Sequence, residues 1–171
     1  SIIFLSILII LISPIIYFSF NLLLGVWGFK SVEMVLEQGD LRSAEKNIFL
    51  AQGSAERNKK FLEISQPVFK ILGFGEGIQK IENLFSLIEF LSEGTGQAIF
   101  AAEEGKQILK GTLHDENINL EESLSKIKIE TGNAYENFSL AQNVLDNFSG
   151  QEPIFGSFIL RAKKELPNWR F

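Results

Sequence analysis

Few residues in this 171-residue chain are of types and spacings suited to chemistry. Its single histidine, His114, stands beside Asp115 and Glu116, and an imidazole next to two carboxylates is the raw material of a metal site or an acid–base pair. A metal site needs further ligands at set spacing, and none follows, so His114 reads as a solvated loop residue. The run Gly73-Phe74-Gly75-Glu76-Gly77 has the glycine density of a phosphate-binding loop. Such a loop follows a strand and ends in Gly-Lys-Ser/Thr; here the spacing on both sides is helical, and the run reads as a turn. Asn137-Phe138-Ser139 and Asn147-Phe148-Ser149 match the glycosylation pattern, but each places its Phe on a packing seam. Asn58, Ser65, Thr95 and Thr131 are polar positions on such seams. They could line a ligand cavity, but their reading is that of residues fixing helix register. With no cysteine, disulfides, thiolate metal sites and a cysteine nucleophile are all excluded. The sequence therefore names no catalytic, cofactor-binding or metal-ligating residue, and the expectation is a non-enzyme without a cofactor.

The elements that would position any site begin with an apolar run. Residues 1–29 contain no Asp, Glu, Lys, Arg or His. A helix needs about 20 apolar residues to cross roughly 30 Å of hydrocarbon, and Ile2 to Leu24 meets that length, so 1–29 is expected to be a single transmembrane anchor. Pro14 removes one backbone donor within it, and Trp27 suits the headgroup level. Gly25 and Gly28 would allow close approach of a second helix, which adds a homo-oligomer to the expected partners. All of the net charge of −5 lies beyond the run, and an acidic domain is a poor partner for nucleic acid. The near-neutral flank from Lys30 to Lys46 suits the outer side of a plasma membrane. A fragment from Lys30 onward is expected to be soluble and helical.

Residues 30–171 carry three heptad seams. The first runs through Leu41, Ala44, Ile48, Ala51, Ala55, Asn58, Leu62, Ser65, Phe69 and Leu72. The second is Ile81, Leu84, Ile88, Leu91, Thr95, Ala98, Ala102, Gly105 and Leu109. The third is Leu120, Leu124, Ile127, Thr131, Ala134, Phe138, Ala141, Leu145 and Phe148. Gly39-Asp40 can end one helix and cap the next, and Asn119 with Glu121 and Glu122 makes a good helix start. A short helix from Ile154 to about Leu166 follows Gly150 and Pro153. The fold class expected is all-α: a transmembrane helix, then an elongated antiparallel bundle of three long helices and a short C-terminal one. The bundle should be firmest where Phe61, Phe69, Phe85, Phe90, Phe138 and Phe148 cluster, with a bend near Gly94 and Gly96. Folding the 41–72 helix straight back along the anchor would carry Arg57, Lys59, Lys60, Glu63 and Lys70 into lipid. A hinge at Gly39-Asp40 or a break at Gly53 is expected instead.

The words GDLRSAEKNIFLAQ, AERNKKFLEISQPVFKILG and EGIQKIENLFSLIEFLSEGTGQAIFAAEEGKQIL, placed after an apolar helix, resemble the N-terminal region of bacterial domain-of-unknown-function family 4012. The resemblance implies a membrane-anchored region that precedes a larger extracytoplasmic domain at the cell envelope. The function expected is a non-catalytic extracytoplasmic stalk or interaction module positioning such a C-terminal domain. Its partners would be the lipid bilayer and its own C-terminal domain or another envelope protein. The alternative is the ligand-sensing input domain of a chemoreceptor-like receptor.

Overall fold

A computed structural model describes residues 16, 17, 20, 21, 23–28, 30–32, 34, 35, 38–71, 75–114, 119–151 and 156–169. Four α-helices follow one another: α1 (Leu41–Ile71), α2 (Gly75–Leu113), α3 (Leu120–Leu145) and α4 (Gly156–Glu165), with a 3₁₀ turn over Leu166–Trp169. Every described position from 16 to 35 is helical as well. Among the described residues there is no strand, so the all-α expectation holds. Residues 1–15, most of the expected transmembrane span, lie outside the described residues. Among those that are described, no helix is long and apolar enough to cross a membrane.

Side-chain pairs give the topology. Lys59 meets Glu89 and, one heptad along α1, Gln66 meets Glu82 one heptad back along α2, so the two helices are antiparallel. Asn137 donates to Gln97 at 3.0 Å, and Phe138 lies against Gly94, which sets α3 on α2. The 16–35 helix is a further antiparallel member, packed along α1. Tyr17 meets Phe61, Arg57 Nε donates to the Asn21 side-chain Oδ1 at 3.2 Å, Gly25 lies over Ser54, and Gly28 lies over Asn47 and Ala51.

That pairing corrects the expected geometry at the start of the bundle. Gly39-Asp40 is a closed hairpin turn. Gly39 has φ +73°, a left-handed conformation that costs glycine nothing. The N–H groups of Gln38 and Asp40 both return to the Val35 carbonyl, and the Asp40 carboxylate accepts from the Ser43 N–H at 3.1 Å as the cap of α1. Helix α1 then runs without interruption through Gly53 and through Pro67. Described positions on both sides of the expected boundary at residue 29 are helical and pack on α1. A fragment beginning at Lys30 would lack Asn21, Gly25 and Gly28, which cover α1. The glycine pair serves contact within the chain. A Cβ on Gly28 would sit 3.1 Å from the Asn47 carbonyl oxygen, so a side chain there would force the two backbones slightly apart.

Two cores result. The larger joins α1, α2, α3, α4 and the 3₁₀ turn around Leu62, Phe85, Ile88, Leu91, Phe138, Leu145, Ile159 and Leu166, with Val26 against it. Full burial of each such side chain contributes about 1.5–3 kcal/mol. The smaller holds Val32, Ala44, Ile48 and Ile99. The first seam is covered along its described length: Ala44, Ile48, Ala51, Ala55, Asn58 and Leu62 are all buried. The second and third seams are covered over only half of theirs. Ala98, Ala102, Leu109, Leu120, Leu124 and Thr131 are exposed, although they continue the rows that bury Leu91, Ala134 and Phe138. Helix α2 runs on through Gly94 and Gly96 without a break, and Gly94 has a packing role. A Cβ there would fall 2.7 Å from the Phe138 ring, so the missing side chain is the seat of that ring.

Beyond α3, Gly150 turns the chain at φ +82°. Helix α4 returns onto the larger core through Ile159, and the Lys163 ammonium donates to the Phe148 carbonyl.

Candidate functional site

The residues picked out by sequence do not converge. His114 lies in the turn after α2, where its N–H returns to the Lys110 and Gly111 carbonyls. Among the described residues no group of three His, Asp or Glu side chains comes together to hold a metal ion. Gly75 and Gly77 belong to the first turn of α2, while Gly73 and Phe74 lie outside the described residues. The Asn137 amide donates to Gln97 and the Asn147 amide to the Asn143 carbonyl. The polar seam positions separate by depth. Asn58 is fully buried and Thr95 nearly so, its hydroxyl donating to the Leu91 carbonyl at 2.7 Å; Ser65 is half-buried and Thr131 exposed.

What the fold does assemble is a surface. Ile16, Phe20, Leu23, Trp27 and Met34 follow helical spacing along the face of the 16–35 helix turned away from α1, and each is 55–61% exposed. Large apolar side chains in a contiguous exposed row mark an interaction surface. The opposite face carries Asn21, Gly25, Gly28 and Val32, all buried. Beside the row, α1 presents Phe49, Leu50 and Ile64, exposed at 77%, 48% and 80%. Arg57 ties the two helices together here, donating from Nε to Asn21 and from Nη2 to the Ser54 hydroxyl at 3.2 Å. A shallow groove of about 460 Å³ runs over Arg42, Ser43, Glu45, Lys46, Phe49 and Leu50. The missed signal was legible in part: Asn21, Gly25 and Gly28 fall on one helical face, and a wholly lipid-facing helix has no use for a buried Asn there.

The electrostatics elsewhere are those of exposed helix surfaces. Hydrogen bonds from Ser43 hold the Asp40 carboxyl below its ordinary range. The Lys60 ammonium does the same for Glu56, and that of Lys126 for Glu122, across gaps of 2.8 Å. Glu93 moves the other way: partial burial raises it, and the neighbouring Glu89 carboxylate adds to the rise.

No protein-family model, curated protein or solved structure matches this chain.

Proposed function

We propose that this chain is a membrane-anchored helical scaffold of the cell envelope, non-catalytic in itself, that presents a partner or a further domain at the bilayer surface. The observation that carries this reading is the exposed row of Ile16, Phe20, Leu23 and Trp27, which prolongs a run free of charge back to Ser1. From Tyr17 onward the helix packs beside Phe61 and Arg57 of α1, and the Arg57 charge, costly in lipid, sits at the headgroup level in this reading.

The test is alkaline carbonate extraction of membranes from bacteria expressing the full chain. The chain is expected in the membrane pellet. Complete release into the supernatant overturns the reading.

A further inference from the structure

We infer that the bundle lies on its side against an anionic bilayer surface, with the outer faces of the 16–35 helix and α1 as the docking surface. This rests on the membrane reading above and adds to it an orientation and a lipid chemistry.

Three observations support lipid as the occupant. First, the exposed row on the 16–35 helix follows directly in sequence on the uncharged residues 1–15, which the membrane reading assigns to lipid. Second, basic side chains outnumber carboxylates around the apolar ones. Lys30 follows Trp27 on the same face, and Arg42, Lys46, Arg57 and Lys60 share the outer face of α1 with Phe49, Leu50 and Ile64. Glu45, Glu56 and Glu63 border the same face on its side toward α2; Glu45 lines the groove and Glu56 pairs with Lys60. A basic rim around apolar and aromatic side chains is the pattern by which amphipathic helices bind in the headgroup region of anionic membranes. It stands out on a chain whose net charge is −5. Third, Tyr17 and Trp27, both about half exposed, are the amphipathic aromatics that prefer this depth. Lying flat also keeps Lys59 and the acidic faces of α2 and α3 in water, which an upright bundle folded along a straight anchor would not.

The experiment uses the full chain carrying Trp169→Phe, so that Trp27 is the sole indole, in vesicles of phosphatidylcholine with or without phosphatidylglycerol and with brominated acyl chains. Co-flotation reports the anchor and quenching of Trp27 reports docking. The expected result is flotation in both lipids with Trp27 quenched only in the anionic vesicles. In a Lys30→Gln/Lys46→Gln variant, with the far-ultraviolet dichroism unchanged, the ratio of docked to undocked chain should fall about 30-fold, the equivalent of roughly 1 kcal/mol for each basic residue. Flotation without quenching, or equal quenching in both lipids, overturns the docking and leaves the anchor standing. A chain that floats as a dimer with Trp27 hidden from bromine assigns the surface to a second copy and overturns it too. Failure to float overturns the membrane reading itself.

Discussion

The two ends of the bundle are built from the same heptad pattern and differ in what covers it. At the end where α4 returns, the seams of α2 and α3 meet ring against glycine, Phe138 on Gly94, and α4 with the 3₁₀ turn closes the remaining side through Ile159 and Leu166. At the hairpin end, Leu109, Leu120 and Leu124 hold the same seam positions and stay more than half exposed, while Val32, Ala44, Ile48 and Ile99 form a core from which α3 is absent. A heptad seam states which face of a helix is apolar. Whether that face is buried depends on a fourth element reaching it, and at the hairpin end none among the described residues does.

The comparison breaks most directly by truncating one seam residue at each end. Phe138→Ala should cost about 3–5 kcal/mol by loss of transfer energy and by the cavity left, whereas Leu124→Ala should stay within roughly 0.5 kcal/mol, as a surface change does. Urea unfolding of the full chain in detergent measures both, and equal costs would mean that the hairpin end is covered. A glycine pair sharpens the same contrast. Gly94→Val drives a side chain into the Phe138 ring and the Ala134 carbonyl and should destabilise by about 1–3 kcal/mol. Gly105→Ala meets nothing within 4 Å and should stabilise by about 0.5–1 kcal/mol through helix propensity. The smallest effect concerns pH. Glu93 has a raised pKa, so its ionisation opposes folding, and that penalty develops as pH rises through the carboxylate range. Glu93→Gln should therefore be slightly more stable than the parent at pH 7 and indistinguishable from it below pH ~4, the region where carboxyl groups are protonated. A variant less stable at pH 7 would show that Lys59 outweighs Glu89 at this position.

Much of the fold was legible in the chain. Apolar spacing located α1 to within one residue at each end, and the Asn119 cap fixed the start of α3, where its carbonyl accepts from the Glu122 N–H at 3.3 Å. Two things were not legible, for a common reason. Periodicity is a property of one helix, while close approach belongs to a pair, so Gly94 looked like a weak point when it is where Phe138 sits. Likewise, an uncharged helix satisfies lipid and a small-residue partner equally well, so residues 17–28 read as membrane when their Asn21-Gly25-Gly28 face belongs to α1. As for the candidate surface, its residues were visible but its shape was not. Trp27 and Arg57 are distant in sequence, and only the hairpin through Gly39 sets their helices side by side.

That hairpin also bears on the order in which the chain can fold during synthesis. The 16–35 helix and α1 are joined by a turn of a few residues, so their contacts close short loops, which form fast and at little entropic cost. Once residue 71 has left the ribosome, both helices of this pair exist, before any of α2 is needed. Helix α2 then arrives at a surface already made, α3 at α2, and α4 last, over a turn set by Gly150. The topology lets synthesis proceed from the N-terminus with each new helix meeting a completed neighbour, and the apolar face of α1 need not wait for the end of the chain to find its cover.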